Sequence, residues 1–306
     1  MAKRTRYRQS IGSRAFDVAN VLFMCSLIVV MLFPLLHVVA ISFSSPSMVG
    51  AGRITFYPRQ LHLSGYQIIF RDNEILTTYR NTILYAFGGT IITLLFTAMI
   101  AYPLSIRDFL LRRFLTVYLA ITMFFSGGLI PTYLLVRSLG LMNTYLVMVL
   151  PGAVAAFSVI VFRTFFQGLP PDLRESAFID GANDFLILFM IVLPLSKALL
   201  ATFALFSVVG HWNSWFPAVI YLSDFRKLPL QVILRNIVIM QQMAEALFSR
   251  GAVAEAWEIM HQREGSLNVD ILKYATLFVS IVPMLIVFPF IQKHFVKGIM
   301  IGSLKG

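Results

Sequence analysis

Charged residues are scarce in this sequence: only 13% of its 306 residues are Asp, Glu, Lys or Arg, whereas 58% are hydrophobic. Soluble domains carry about 25% charged residues. A soluble chain with so little charge would expose large apolar patches on its surface. The composition therefore excludes an ordinary soluble domain and predicts an integral membrane protein.

Cysteine is nearly absent, since Cys25 is the single one and lies inside the first long apolar run. One cysteine excludes an intramolecular disulfide and gives no information on the redox compartment. We expect Cys25 to be a small packing residue.

Catalytic and phosphate-binding motifs are also missing. No Gly-rich loop ends in Gly-Lys-Ser or Gly-Lys-Thr, so the sequence has no loop of the type that binds ATP phosphates. It contains neither a His-Glu-x-x-His zinc motif nor the nucleophile elbow of hydrolases. The sequence therefore predicts no catalytic residue, no metal site and no cofactor bound by this chain.

Acidic residues do not occur in the interior of any long apolar segment. Carboxylates inside membrane spans often mark the ion pathways of secondary transporters. The ionisable candidates in the segment interiors are His37 and His211, and a lone histidine in a helix more often packs through a hydrogen bond. The pattern therefore favours a transport protein that is powered by a separate protein. A secondary transporter or channel working alone is the alternative.

Six segments are apolar and long enough to cross a bilayer as helices, which takes about 20 residues each. They are 18–42, 81–105, 114–136, 144–166, 197–221 and 271–292. Backbone polar groups inside lipid must be satisfied within the chain, so these segments are expected to be helical. The predicted fold class is an all-α integral membrane protein with six transmembrane helices.

Basic residues predict the orientation of these spans. The formal net charge is +11, and Lys and Arg are clustered in short connections between apolar runs. Such clusters are typical of topology signals and not of a nucleic-acid-binding face. Basic residues outnumber acidic ones in three places: the first 14 residues, the connection around Arg107–Arg113 and the tail after 292. We therefore expect all three, and with them both termini, in the cytoplasm. Lipid is the expected surrounding, and no nucleic-acid partner is expected.

Two outer loops are predicted, at about 43–80 and 222–270. Within the second, the periodicity of Leu230–Phe248 and Ala252–Met260 indicates amphipathic helices. Such helices pack on the membrane surface, or they provide a docking surface for an extracellular partner.

The connection from Gly168 to Asp184 reads GLPPDLRESAFIDGAND. Two prolines end the preceding helix. Asp172 and Glu175 have the spacing of a capping box, and Gly181 suits the left-handed residue that ends a helix. The spacing predicts a short helix that starts at Asp172 and ends at Ile179 or Asp180. By spacing alone, an ordinary hairpin and a coupling helix that seats in a partner protein are equally supported.

The run from Glu175 to Ala182 resembles the EAA motif of ABC-importer permeases, and Ile191 and Leu193–Leu195 match its later part. Ser176 stands where Ala is usual, and Ala198 stands where a second Pro is common. Asn81–Thr82, Ala101–Ser105, Trp212–Trp215 and the last residues resemble the carbohydrate, maltose-type members, above all those associated with oligosaccharides from polysaccharides. The similarity is clearest over about 75–306.

The resemblance implies a bacterial plasma-membrane permease that pairs with a second homologous permease subunit, an ATPase dimer and an extracellular sugar-binding protein. ATP and magnesium are then expected on the partner ATPase. The helix between the fourth and fifth spans becomes the coupling helix. The residues implied in ATPase coupling are Glu175, Ala177, Asp180, Gly181 and Ala182, and the tail residues implied in ATPase contact are Lys305 and Gly306.

For the sugar path the resemblance directs attention to Trp212, Asn213 and Trp215, which combine aromatic faces with an amide; packing between helices is the alternative role for them. The expected organisation is a cytoplasmic segment at 1–17, the first span with its outer loop at 18–74, a permease core at 75–293 and a cytoplasmic tail at 294–306.

Overall fold

The computed structural model describes residues 11–252 and 269–303, and every regular element within these ranges is a helix. The helices of the first half are α1 (Ile11–Ser42), α2 (Pro46–Gly50), α3 (Ser64–Arg71), α4 (Asn73–Ser105), α5 (Arg112–Phe124) and α6 (Leu129–Ser138). Two 3-10 turns follow at Tyr145–Met148 and Leu150–Gly152.

The second half continues with α7 (Ala156–Gln167), α8 (Asp172–Ile179), α9 (Asp184–Ile187), a π-helical turn (Leu188–Val192), α10 (Leu193–Leu195), α11 (Lys197–Trp212), α12 (Phe216–Tyr221), a 3-10 turn (Phe225–Lys227), α13 (Leu230–Ser249) and α14 (Val269–Ser303). The prediction of an amphipathic helix from Leu230 is confirmed by α13. The helix predicted over Ala252–Met260 falls mostly outside the described residues.

Three described helical stretches are long and apolar enough to cross a membrane: Ile11–Ser42, Asn73–Ser105 and Ile271–Pro289. Two bent pairs bring the number to five if each pair is one span. The pair Tyr145–Gly152 and Ala156–Gln167 bends by 58°, and the pair Asp184–Leu195 and Lys197–Trp212 bends by 84°. The all-helical membrane architecture is thus confirmed.

The expectation of one continuous helix in each apolar segment is wrong for three of them. The segment 114–136 is interrupted between α5 and α6, where Phe125 is extended and Gly128 has φ +80°. The segment 197–221 is interrupted between α11 and α12, and the segment 144–166 begins with 3-10 turns that include Pro151. Glycine and proline allow these breaks, because glycine adopts positive φ easily and proline lacks the N–H that a helix interior needs.

The described residues form two compact units. One contains the described residues up to Arg71 together with those between Met240 and Val279. Its core includes Ala40, Ile41 and Ile54. Most of α1 outside this core is exposed, including Cys25. The prediction that Cys25 is a packing residue is therefore wrong within this chain, because its side chain is not buried against other residues of the chain. The exposed apolar face of α1 suits contact with lipid or another subunit.

The other unit contains Asp72–Ile239 and the described residues from Ser280 onwards. Its largest core joins the C-terminal half of α4 to α7, α8 and the start of α11, with Ala101, Val159 and Phe162 fully buried. Small residues along α4 allow this close packing, as is common between membrane helices.

The N-terminal half of α4 binds the segment that precedes α13. The buried Asn81 donates to the carbonyls of Arg226 (2.7 Å) and Leu228 (3.1 Å). Thr82 Oγ1 accepts a hydrogen bond from the Leu230 backbone N–H at 2.8 Å. These bonds satisfy backbone groups that have no helical partner, including the buried N–H of Leu230, so they fix where α13 begins.

We predict that Thr82→Val lowers the stability of the solubilised chain by about 1–3 kcal/mol, because it leaves the buried Leu230 N–H without a partner. Thr78→Val is the matched control, since Thr78 is equally buried on α4 but, among the described residues, its hydroxyl bonds only to the carbonyl of Ile75. Thermal unfolding in detergent measures both variants. Equal losses would contradict the assigned role of Thr82.

Candidate functional site

The helix α8 lies where the sequence predicts it, but its N-terminus is built differently. It spans Asp172–Ile179 and is capped by the backbone of Pro171, with no side-chain cap. The Pro171 carbonyl accepts from Arg174 N (2.9 Å) and Glu175 N (3.1 Å). The predicted capping box is therefore wrong: Pro171 is already in the helical region, so Asp172 and Glu175 lie inside the first turn. Their carboxylates there interact favourably with the helix dipole.

The C-terminus of α8 is a Schellman turn, as the glycine predicts. Gly181 has φ +84°. Its N–H donates to the carbonyl of Phe178 at 3.0 Å, and Ala182 N–H donates to the carbonyl of Ala177 at 2.9 Å. This pair of bonds closes the last turn of the helix and reverses the chain direction. A Cβ on Gly181 would meet no atom within 4 Å, so the glycine is needed there for its backbone conformation and not for space.

The five predicted coupling residues divide between two faces of this turn. Ala177 is 7% exposed and belongs to the core shared with α4 and α7, and Ala182 packs partly against that core. Glu175, Asp180 and Gly181 are exposed. Ile179, next to them, is 86% exposed. One face of α8 is therefore anchored, while the opposite face presents acidic and apolar groups.

A polar contact joins α8 to α4 and α9. Tyr102, buried near the end of α4, donates its hydroxyl to Asp184 Oδ1 at 3.0 Å. The guanidinium of Arg174 lies 3.4 Å from the same oxygen and 4.6 Å from the centre of the Phe178 ring. Asn183 caps α9 by accepting from Leu186 N at 2.9 Å. The carboxylate of Asp184 thus connects three helices through one atom.

Sequence reasoning did not identify Arg174 and Asp184 as site residues, and it noted Tyr102 only within the stretch Ala101–Ser105. Tyr102 and Asp184 are 82 positions apart in the chain. A local motif carries no signal for such a pairing. The signal available was a tyrosine at the end of one apolar segment and an aspartate in a connection on the same predicted side.

A cavity of about 530 Å³ lies beside α8, and its wall includes Glu175 and Arg174 of that helix. The wall also includes Arg107 and Asp108 of the connection between α4 and α5, and Arg112, the first residue of α5. The side of the molecule that carries α8 is therefore rich in arginine.

The structure gives each residue predicted for the sugar path a contact within the protein. Trp212 is 2% exposed and donates its Nε1–H to the carbonyl of Ser280 at 3.1 Å. Asn213 bonds to the carbonyl of Val209 in its own helix at 3.0 Å. The ring of Trp215 lies 4.8 Å from the guanidinium carbon of Arg235. These contacts are packing contacts. Lys305 and Gly306 fall outside the described residues.

In the described part of the chain, no group of three or more His, Cys, Asp or Glu side chains is arranged to hold a metal ion.

Comparisons with known proteins agree with this architecture. The family profile described as "Binding-protein-dependent transport system inner membrane component" matches residues 89–301. The chain is 38% identical over 295 residues to Protein LplC of Bacillus subtilis (strain 168), covering 96% of each chain. It is also 38% identical over 294 residues to the polygalacturonan/rhamnogalacturonan transport system permease protein YtcP of the same organism, covering 96% of this chain and 99% of that one.

Among solved structures, a chain of a bacterial ABC transporter involved in the import of the acidic polysaccharide alginate superposes with a TM-score of 0.83. It is 31% identical and is aligned over 94% of this chain and 99% of that chain. The relatives are permeases and not enzymes, and the resemblance seen in the sequence is confirmed. This chain therefore belongs to the family of binding-protein-dependent transport system inner membrane components, and it is the membrane permease of an ATP-driven importer.

Proposed function

We propose that this permease imports oligosaccharides released from polysaccharides, and that α8 is the helix through which a partner ATPase moves it. Two relatives support the substrate class: the polygalacturonan/rhamnogalacturonan permease and an arabinooligosaccharide permease of Halalkalibacterium halodurans. The arabinooligosaccharide permease is 31% identical to this chain over 281 residues, which cover 90% of this chain and 91% of that one. The observation that carries the coupling role is the two-faced structure of α8, with Ala177 buried and Ile179 exposed.

The exposed face of α8 has the chemistry of a docking surface. Ile179 and Phe178 are 86% and 42% exposed at the end of this short helix. Glu175 and Asp180 lie beside them and are exposed too. An apolar anchor that enters a cleft, with charges at its rim, is the usual composition of an energetically important contact. A cleft with apolar walls and basic groups on the ATPase matches it.

The anchored face of α8 supplies the mechanical link. Movement of α8 is passed to α4 and α9, because Asp184 bonds to Tyr102 and pairs with Arg174. The Schellman turn makes the connection to α9 short and stiff, so little of the displacement is lost in the loop. ATP and magnesium act on the ATPase dimer, whose closure would rock α4 and the helices packed on it.

We propose six membrane crossings with both termini in the cytoplasm. Five arise from the three long stretches and the two bent pairs. The remaining one consists of α5 and α6 together, which span 112–138 with one break. The arginines beside α8 support a cytoplasmic position for that side, since positive charge accumulates there. A second, related permease would cover the exposed apolar helices, and a sugar-binding protein would dock on the opposite side.

Gly181→Val is predicted to abolish recovery of the ATPase with this permease, because a β-branched residue at φ +84° costs about 1–3 kcal/mol and distorts the turn. The measurement is a pull-down from membranes that co-express the second permease and the ATPase. Gly140→Val is the matched control: Gly140 also has positive φ (+67°) and open space for a Cβ, but it follows α6. Equal loss in both correctly inserted variants would contradict the coupling role.

Tyr102→Phe is expected to leave the ATPase bound but to lower the sugar imported per ATP by about fivefold, the factor that corresponds to about 1 kcal/mol. The reason is the loss of the hydroxyl that ties α4 to Asp184. Uptake and phosphate release in proteoliposomes give the ratio. Tyr118→Phe, at an exposed tyrosine of α5, should not change it. An unchanged ratio for Tyr102→Phe would remove this contact from the coupling path.

The orientation is tested by thiol accessibility. In a Cys25→Ser background, which removes the only cysteine, we predict that Ile179→Cys reacts with an impermeant maleimide in inside-out vesicles only. Leu61→Cys, at a residue that is 76% exposed, should react in right-side-out vesicles only. The permease is expressed without its ATPase, so that α8 is free to react. The reverse labelling pattern would invert the topology.

A further inference from the structure

Two arginines at the cavity beside α8 share one neutral partner. Arg112 lines the cavity, and Arg163 lies near the end of α7. In the amide orientation that satisfies both arginines, the side-chain oxygen of Gln167 accepts from Arg112 Nη2 at 2.8 Å and from Arg163 Nε at 3.3 Å. A single uncharged oxygen therefore holds two guanidinium groups close together.

No carboxylate of the described residues neutralises this pair. Neither Arg112 nor Arg163 forms an ion pair with Asp or Glu there, and the other contact of Arg163 Nε is the carbonyl of Leu104, at 3.1 Å. Both arginines are half-buried. Like charges repel more strongly where water is partly excluded. An anion beside the two guanidinium groups would replace this repulsion by attraction.

The surrounding charges favour an anion as well. Four arginines stand in or next to the cavity against three carboxylates: Arg107, Arg112, Arg163 and Arg174 against Asp108, Glu175 and Asp184. Arginine is the residue best suited to phosphate, because its planar fork donates two parallel hydrogen bonds to two phosphate oxygens. The cavity volume of about 530 Å³ leaves room for more than a phosphate ion, so a larger headgroup fits too.

The cavity lies where two apolar helices end. Helix α4 ends at Ser105 and α7 ends at Gln167, and both residues line the cavity. Helix α4 is one of the long apolar stretches, and α7 belongs to a bent apolar pair. The ends of membrane-crossing helices lie at the depth of the lipid headgroups, where phosphates are concentrated.

Exposed apolar side chains flank Arg112 in the sequence. Leu110, Leu111 and Phe114 are 93%, 50% and 67% exposed. At a membrane boundary such side chains contact acyl chains, while an arginine beside them reaches the phosphates. A free phosphate ion would use the guanidinium groups alone, whereas a phospholipid would use both kinds of surface. The apolar flank therefore favours a lipid.

We propose that the cavity beside α8 binds the phosphate of an anionic membrane lipid. Arg112 contacts the phosphate, Arg163 adds positive charge next to it, and Gln167 positions the two arginines. The cavity wall includes residues of α5 and of α8, so one headgroup would contact both helices. This inference is independent of the sugar and of the ATPase partner proposed above.

The test uses the full-length chain, purified in detergent and titrated with dioleoylphosphatidylglycerol or with dioleoylphosphatidylcholine, which has the same acyl chains but no net charge. Native mass spectrometry measures bound lipid. We expect wild type to bind the phosphatidylglycerol more tightly, and Arg112→Gln to lower that affinity about tenfold, the effect of one lost charge-assisted hydrogen bond. Equal affinity of wild type for the two lipids would overturn the proposal.

Gln167→Glu separates a lipid site from a merely structural contact. The new carboxylate would be a permanent counter-ion for Arg112 and Arg163. It should lower the affinity for phosphatidylglycerol about tenfold and raise the temperature of thermal unfolding without lipid. Unchanged lipid binding in both Gln167→Glu and Arg112→Gln would show that this cavity is not the lipid site.

Arg113→Gln is the matched control, because it removes the same charge from the next position of α5 but Arg113 is exposed and does not line the cavity. Its affinity for phosphatidylglycerol should stay within about twofold of wild type. An equal loss in Arg113→Gln and Arg112→Gln would indicate general attraction to the surface and contradict the cavity site. Millimolar inorganic phosphate should not displace the lipid. Displacement in wild type would make free phosphate the ligand and overturn the lipid assignment.

Discussion

The hydrocarbon interior of a membrane offers no hydrogen-bond partner, and this constraint governs the rest of the structure. Every backbone N–H and C=O there must be satisfied within the chain, which leaves helices as the regular elements of the described residues. Side-chain hydroxyls obey the same rule, and Thr90 and Ser196 each bond to a carbonyl of their own helix.

The short helix α8 meets a different requirement in its proposed coupling role, because it would bind a partner on one face while remaining fixed to its own chain on the other. The buried Ala177 and the Schellman bonds of Gly181 and Ala182 fix its shape. The carboxylate of Asp184 then connects it to Tyr102 and Arg174. These contacts hold α8 against its own chain, which is the property that the proposed coupling element needs.

Much of this fold was predictable from the sequence, because apolar runs of about 20 residues have few alternatives to helix in a membrane. The helix α8 was predictable from its prolines and its glycine, since those residues act through local backbone geometry. Its first turn was not, because the capping box required Asp172 to lie before the helix, whereas Pro171 had already entered the helical region. The breaks after Phe124 and Trp212 were missed for a related reason. Hydropathy measures how apolar a segment is and does not report where its helix stops.

The sequence by itself determined the membrane class, the helical architecture, the position of α8 and the family, because composition, periodicity and motif spacing are properties of contiguous residues. Tertiary structure decided which side chains meet. Trp212 packs in the core while Thr97 and Ser207 line a cavity, and Tyr102 reaches Asp184 across 82 positions. Such pairings depend on how helices rotate and cross, which is fixed by packing between residues far apart in the chain.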